Sequence, residues 1–312
     1  MSEFSGSRVP AAVRRGRARP GERVIETLLV VAAVVSIVTT VGIVVSLAVP
    51  TVEFFRDVSL VRFVTETQWT PLFADKHYGV VPLLVATLWV TAVAIVIAIP
   101  VGLGAAIYLS EYAAPRTRKI LKPVLEILAG IPTVVYGFFA LTFLNPRLVA
   151  LWPGADKPEF QNLLVAGIAM GIMIVPTIAS LSEDAMSAVP HSLREGAYAL
   201  ASTRMQVSTR VVVPAALSGI VAAIVLGVSR ALGETMIVTI AAGLKTAGIP
   251  ASPTEGAATM TAYIAGAGQG DLPVASLEYL TIFAVGSTLF LFTFALNAVS
   301  IRLVRRFREV YE

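Results

Sequence analysis

Two charged side chains stand inside a run of apolar residues that is long enough to cross a bilayer. The run extends from Val211 to Leu244, and Arg230 and Glu234 lie four positions apart within it. In a single α-helix this spacing places both side chains on one face. A charge in hydrocarbon is costly, so such residues pair, face protein or line a path for a polar solute. The arginine favours an anionic solute; the alternative is a structural ion pair that holds the helix to its neighbours.

The composition is typical of an integral membrane protein. Of the 312 residues, 56% are hydrophobic and only 14% are charged, and the mean hydropathy is +0.80. A soluble domain of this length is less apolar. About 20 helical residues cross a hydrocarbon core of about 30 Å. The apolar segments therefore predict an all-α integral membrane protein with six transmembrane helices, at about 28–50, 80–110, 122–145, 161–183, 212–243 and 277–301.

The distribution of Lys and Arg predicts the orientation in the membrane. Seventeen of these residues lie before the first span, after the last span or in the loops 2–3 and 4–5, whereas six lie in the other loops and one is Arg230. Under the positive-inside rule both termini are then cytoplasmic. Residues 1–22 form a basic cytoplasmic segment and residues 23–312 the transmembrane domain. The net charge of +4 reflects this topology and not a nucleic-acid partner.

Several kinds of site are excluded by residue type. The chain has no Cys, which rules out disulfides and thiolate metal sites. His77 and His191 are the two histidines, and they lie in loops on opposite sides of the membrane, so we expect no metal site. No Gly-x4-Gly-Lys-Ser/Thr loop occurs, so this chain cannot cradle ATP phosphates, and we expect it to bind no cofactor. HExxH and Gly-x-Ser-x-Gly are also absent, which argues against an intramembrane enzyme.

The loop at residues 184–213, here called the coupling loop, contains two capping-box patterns. Ser192 is followed three residues later by Glu195, and Thr203 by Gln206. Such pairs begin helices, because the first side chain accepts a backbone N–H of the first turn and the second reaches back. Two short helices joined at a turn would form a rigid knob on the cytoplasmic side. An amphipathic segment that lies on the lipid surface is the alternative.

The coupling loop resembles the cytoplasmic signature of the permease subunits of binding-protein-dependent ABC importers. That signature has Glu-Ala-Ala, a Gly four positions on, ten positions to an apolar residue, and a closing Leu-Pro. The matching positions here are Glu195, Gly196, Ala197, Ala201, Val211, Val213 and Pro214. Gly196 replaces an alanine and Ala201 replaces the turn glycine. A left-handed backbone is therefore not expected at Ala201.

Within that family the chain is similar to the C-type permease subunits of phosphate importers, over about residues 25–305. The similarity is carried by residues 130–137, Gly-Ile-Pro-Thr-Val-Val-Tyr-Gly, and by residues 230–236, Arg-Ala-Leu-Gly-Glu-Thr-Met. It implies a type I ABC importer permease fold in the bacterial inner membrane and a heterodimer with a sister permease. It also implies two ATPase subunits that hold ATP and Mg²⁺, and a periplasmic or lipid-anchored phosphate-binding protein.

The resemblance also implies roles for individual residues. The knob would dock on the ATPase, and Arg230 would attract phosphate while Glu234 orients the guanidinium or accepts a phosphate hydroxyl. Thr235, Thr133 and Tyr136 would offer hydroxyls along the same path, or else pack helices as ordinary hydroxyls. The residues expected at the ATPase are Ser192, Glu195, Gly196, Ala197, Ala201 and Pro214. Import of another oxyanion such as sulfate or molybdate, or secondary transport, remains the alternative.

Overall fold

The computed structural model describes residues 20–153, 156–274 and 276–306. Strand pairing within these ranges is limited to two isolated bridges, Gln68 with Gly248 and Trp69 with Tyr78, so the predicted all-α class is confirmed. The helices are α1 (Pro20–Asp57), α2 (Leu60–Thr65), α3 (Val81–Ile107), α4 (Pro115–Ala129), α5 (Thr133–Phe139), α6 (Asn145–Leu151), α7 (Leu163–Ser187), α8 (His191–Ala199), α9 (Arg204–Val207), α10 (Val213–Ala215), α11 (Leu217–Leu232), α12 (Met236–Ala241), α13 (Met260–Gly268) and α14 (Leu277–Arg306).

Short π-helical stretches extend three of these helices, at Tyr108–Tyr112, Ala140–Leu144 and Ser208–Val212. The part of α1 up to Ser46 forms a compact unit by itself, and the second unit begins at Leu47. All packing discussed below lies within the second unit. Residues 1–19 of the predicted N-terminal segment lie outside the described residues.

Candidate membrane spans among the described residues agree with the six that the sequence predicts. Five are long and apolar without a sharp bend: Arg23–Asp57, Val81–Tyr112, Thr133–Leu151, Leu163–Ser187 and Leu277–Arg302. A sixth arises if Arg204–Ala215 and Leu217–Leu232, which meet at an angle of 72°, are counted as one broken span. Their order along the chain is the predicted order.

The third span differs from its predicted bounds of 122–145. The structure ends α4 at Ala129 and begins the span at Thr133. Gly130 closes α4, and Pro132 disfavours a helical backbone at the residue before it, which explains the break. Residue 122 therefore belongs to a separate helix, α4, and not to the span.

The core of the second unit is the contact between α3 and α7, which depends on two glycines of α7. A Cβ on Gly167 would lie 2.6 Å from Cβ of Val93, and one on Gly171 would lie 3.0 Å from the carbonyl oxygen of Ala94. Only a hydrogen at these positions lets the two backbones approach so closely. Because α7 also contacts α4, α5, α11 and α12, it is the helix against which the candidate site is built.

Two loops that the charge distribution predicts to lie on the outer side of the membrane are joined to each other. The backbone N–H of Trp69 donates to the carbonyl of Ala247 at 3.0 Å, and the Trp69 ring meets Tyr263 edge to face at 5.1 Å. Trp69 and Phe63 are buried, and their rings pack edge to face at 6.2 Å. The segment at 246–272 is therefore anchored, and it contains one short helix, α13.

Candidate functional site

The helix that carries Arg230 ends before Glu234. α11 ends at Leu232, Gly233 is its C-cap, and a new helix, α12, begins at Met236. The predicted span at 212–243 is thus interrupted, and the expectation that Arg230 and Glu234 share one helix face is wrong. Apolar composition alone could not reveal this break, because both helices are made of the same kinds of residue.

Glu234 has a specific partner at this break. Its Oε1 accepts hydrogen bonds from the backbone N–H groups of Met236 at 3.1 Å and Ile237 at 3.2 Å. These are orphan donors of the first turn of α12, which a carboxylate can satisfy. The residue is 9% exposed, and its backbone carbonyl accepts from Thr261 Oγ1 at 2.7 Å. Glu234 therefore fixes the start of α12 and ties it to α13.

Arg230 points instead towards α7. It is half-buried, and its Nη1 donates to Thr177 Oγ1 at 3.1 Å. One turn earlier on α11, a Cβ on Gly227 would lie 3.1 Å from Ile174 Cγ2, so a glycine is needed where the two helices approach. This close approach brings the arginine within reach of Thr177, a site residue that the sequence analysis did not identify.

No carboxylate pairs with Arg230 in the part of the chain that the structure describes. The predicted ion pair between Arg230 and Glu234 is therefore absent among the described residues, whereas the place of Glu234 along a passage stays a prediction. Within the described residues the guanidinium has one hydrogen bond, to Thr177. A planar cation with donors to spare, half-buried on an apolar span, can bind an oxyanion through two parallel hydrogen bonds.

The three predicted hydroxyls have different surroundings. Tyr136 is buried, and its hydroxyl donates to the carbonyl of Leu128 at 3.1 Å, which links α5 to α4. Thr235 is half-buried and donates to the carbonyl of Gly233 at 3.3 Å, at the same helix break as Glu234. Thr133 is half-buried at the first position of α5. None of the three forms a hydrogen bond with Arg230 among the described residues, and their part in a passage stays a prediction.

A second buried carboxylate, Glu183, was also absent from the predicted site. It is fully buried near the end of α7, where it forms an ion pair with Arg118 and accepts from Lys122 Nζ at 2.8 Å and Ser187 Oγ at 2.8 Å. Arg118 and Lys122 are four residues apart on α4, so both reach the same face of α7. The spacing of these two cations was the sequence feature from which the cluster could have been predicted. The cluster holds α4 against the end of α7.

The coupling loop forms the two short helices that were expected, with one correction. α8 begins at His191 and has Pro190 as its N-cap, so Ser192 lies inside the helix and does not cap it. The Ser192 capping box is therefore wrong; the extended backbone of Pro190 starts the helix earlier. The Thr203 box is confirmed: Thr203 Oγ1 accepts from the N–H of Gln206 at 3.3 Å, and Gln206 Oε1 accepts from that of Thr203 at 2.8 Å.

The turn between α8 and α9 contains a left-handed residue. Ala201 has a φ of +57°, whereas a left-handed backbone was not expected for alanine at this position. The turn is held by hydrogen bonds from the N–H of Ala201 to the carbonyl of Tyr198 at 2.9 Å and from that of Ser202 to the carbonyl of Ala197 at 3.2 Å. Two backbone bonds thus impose the conformation that a glycine would adopt without strain.

The signature residues lie on this pair of helices and just after them. Glu195 and Gly196 are exposed on α8, whereas Ala197 is half-buried against a small apolar cluster that contains Val207 and Val212. Pro214 lies in α10, directly after the π-helical stretch Ser208–Val212. The exposed side of α8 is free to meet another chain, and its contact with an ATPase stays a prediction.

Comparison with known proteins agrees with these features. The sequence profile of the family described as "Binding-protein-dependent transport system inner membrane component" matches residues 98–309. The chain is 38% identical over 264 residues to a probable ABC transporter permease protein, YqgH, of Bacillus subtilis, which covers 84% of each chain. It is 33% identical over 276 residues to the phosphate transport system permease protein PstC 1 of Mycobacterium tuberculosis, which covers 78% of this chain and 82% of the relative.

Solved structures show the same fold at low sequence identity. A chain of a bacterial alginate ABC transporter matches with a TM-score of 0.65 and 16% identity, over 92% of this chain and 95% of that one. A chain of the MetNI methionine ABC transporter matches with a TM-score of 0.56 and 20% identity, over 74% and 95%. Together with the apolar helices and the coupling loop, these matches show that the chain is a multi-pass protein of the family of inner membrane components of binding-protein-dependent transport systems, the permease subunits of ABC importers, and that it resembles the PstC type.

Proposed function

We propose that this chain is the permease subunit of an ATP-driven importer that moves inorganic phosphate across the inner membrane. The observation that carries the proposal is Arg230, a half-buried cation on a membrane helix with no carboxylate partner among the described residues. An unneutralised charge on a membrane-spanning helix is retained where it serves a polar solute. Relatives named as PstC phosphate permeases, at 33 to 36% identity, support phosphate as that solute.

High affinity is not required of this site. A delivering protein selects the cargo, and the passage needs only to favour entry of an anion and permit its release. Arg230 supplies the attraction, and Thr177 holds one edge of its guanidinium so that the remaining donors have a fixed direction. Thr235, Thr133 and Tyr136 remain candidates for further contacts along the passage.

The assembly proposed here follows from the family. This chain pairs with a sister permease, two ATPase subunits that hold ATP and Mg²⁺ dock on the coupling loops, and a periplasmic or lipid-anchored phosphate-binding protein docks on the opposite face. The chain itself binds no cofactor. Both termini lie in the cytoplasm, as the excess of seventeen basic residues over six suggests. ATP-driven closure of the ATPases would displace α8 and switch the helices between inward- and outward-facing states.

Import of another oxyanion is the main alternative, because sulfate or molybdate would also suit a guanidinium. Secondary transport is a weaker alternative, since it calls for ion-coupling carboxylates in the passage. Glu234 is occupied by the backbone of α12, and Glu183 by Arg118 and Lys122. Neither carboxylate is available as a proton or sodium site in this arrangement.

The proposal is tested by transport in proteoliposomes that contain the assembled importer and its binding protein. We expect uptake of radiolabelled phosphate that requires ATP and is not reduced by excess sulfate or molybdate. The same liposomes with ATP replaced by a non-hydrolysable analogue serve as the control. Uptake driven by an ion gradient without ATP, or uptake of sulfate or molybdate in preference to phosphate, would contradict the proposal.

A further inference from the structure

Arg194 connects three segments at the end of α7. Its Nη1 donates to the carbonyl of Val189 at 2.6 Å, and its Nη2 donates to the carbonyl of Met186 at 2.8 Å and to Glu111 Oε1 at 3.1 Å. Arg194 belongs to α8, the carbonyls to the last turn of α7 and the link after it, and Glu111 to the π-helical stretch that follows α3. The side chain of Arg194 therefore connects α8 to the end of α7 and to the segment that follows α3.

The chemistry of these contacts requires an arginine. The last carbonyls of a helix lack intrahelical donors, and a cation near them also complements the helix dipole. A guanidinium can reach two carbonyls and a carboxylate at once in one plane, which an ammonium group cannot. The side chains of Arg194 and Glu111 are 12% and 6% exposed, and Ser110 Oγ also donates to Glu111 Oε1, at 2.7 Å. The contact between Arg194 and Glu111 is therefore well formed and largely shielded from water.

Few other contacts hold α8 in place. The helix has no buried residue; Leu193 and Ala197 are half-buried against the apolar cluster of the coupling loop. Between α8 and the segment that follows α3 lies a cavity of about 500 Å³, whose lining includes Arg194 and Glu111. Because α8 has so little apolar packing, the hydrogen bonds of Arg194 are its main connection to the membrane helices.

We propose that Arg194 and Glu111 are positioning residues for transport, which pass the displacement of α8 on to α3 and α7. This inference rests on the proposed function, in which α8 faces the ATPase. A push on α8 is transmitted through the guanidinium to the end of α7. The same helix carries Thr177, which accepts a hydrogen bond from Arg230, so the ATPase state reaches the cargo site through the last turns of α7. Loss of Arg194 would leave α8 docked on the ATPase but loosely attached to the membrane helices.

The test compares the assembled importers of Arg194→Gln, Arg194→Lys and wild type in proteoliposomes. The main readout is the factor by which the loaded binding protein stimulates ATP hydrolysis, and the second is phosphate imported per ATP hydrolysed. We expect both to fall about tenfold in Arg194→Gln, with basal hydrolysis and ATPase copurification retained. Arg194→Lys should be intermediate. Arg116→Gln is the matched control: Arg116 is exposed on α4 and has no hydrogen bond among the described residues.

The double variant Arg194→Gln with Glu111→Gln should be no worse than Arg194→Gln alone, because both residues act in one contact. If Arg194→Gln lowers only the amount or the melting temperature of the complex and keeps wild-type stimulation, Arg194 is a structural cap and the inference is wrong. A wild-type importer that is stimulated by its binding protein but imports no phosphate would contradict the proposed cargo alone. In that case, a loss of stimulation in Arg194→Gln would still support this inference, and wild-type stimulation would still contradict it.

Discussion

Arg230 and Glu234 are four residues apart in the chain, but a helix end between them gives their side chains separate partners. Arg230 donates to Thr177 on α7 at 3.1 Å, and Glu234 accepts from Met236 and Ile237 at the start of α12 at 3.1 and 3.2 Å. The carboxylate therefore serves the backbone, and the positive charge of Arg230 is left for a solute.

Replacing Glu234 should affect the helix break and not the arginine. Glu234→Ala leaves two N–H groups of α12 without an acceptor, so we expect a loss of about 1–2 kcal/mol in stability. Glu234→Gln keeps an oxygen at the same place and should cost less. Thermal unfolding of the purified complex measures both. Equal melting temperatures for the alanine variant and the wild type would show that Glu234 does not cap α12.

Hydrophobic pattern was sufficient to predict the number and order of the spans, since every lipid-facing helix must be apolar along its length. It could not locate the break at Gly233, because a carboxylate four residues after an arginine looks the same whether it pairs with that arginine or caps the next helix. Thr177 was not identified because its role depends on the close approach at Gly227, a long-range contact. Glu183 was not identified either, although two cations on α4 neutralise it.

The turn at Ala201 offers a gain in stability. Its φ of +57° is costly for alanine and free of strain for glycine. We expect Ala201→Gly to stabilise the coupling loop by about 1 kcal/mol after the greater entropy of glycine in the unfolded chain is counted. Resistance of the loop to limited proteolysis in detergent would report the change. Faster cleavage in Ala201→Gly than in the wild type would contradict the left-handed turn.

The loop around Glu66, which is predicted to lie on the outer side of the membrane, should respond to pH. Hydrogen bonds to Glu66 and Asp75 raise the pKa of His77 above its ordinary 6.5. Burial raises the pKa of Glu66, but bonds from Arg62, His77 and the Tyr78 N–H outweigh it and lower this pKa below 4.5. The stabilisation from His77 is complete below 6.5 and is lost as pH rises through its raised pKa. The stabilisation that Glu66 contributes is complete above pH 4.5 and is lost as the pH falls through the lowered pKa of Glu66.

The loop is therefore expected to be most stable between about pH 4.5 and 6.5. Hydrogen-exchange protection of the Tyr78 amide, which donates to Glu66 at 3.2 Å, follows this stability after correction for intrinsic exchange rates. His77→Gln should remove the decline on the alkaline side and, because one of the bonds that lower the pKa of Glu66 is lost, should move the decline on the acid side to higher pH. A decline of the same size in His77→Gln would assign the pH dependence to another group.

The orientation can be tested directly because the chain has no cysteine. Leu72, in a loop predicted to lie on the outer side of the membrane, is 52% exposed, and Leu200 in the coupling loop is 84% exposed. In intact cells a membrane-impermeant maleimide should label Leu72→Cys at once, and Leu200→Cys only after the membrane is opened. Labelling of both from the same side would contradict the positions of the two loops on opposite faces.

The most direct test of the account is phosphate uptake by three variants of the assembled importer: Arg230→Gln, Glu234→Gln, and the two changes together. Because Arg230 has no carboxylate partner among the described residues, neutralising Glu234 cannot compensate for its loss. We expect Arg230→Gln and the double variant to assemble and to import phosphate at less than about 1% of the wild-type rate, a loss of about 3 kcal/mol, while Glu234→Gln retains transport. Recovery of uptake in the double variant would show that the two residues form a structural pair and would contradict a direct role of Arg230 in phosphate passage.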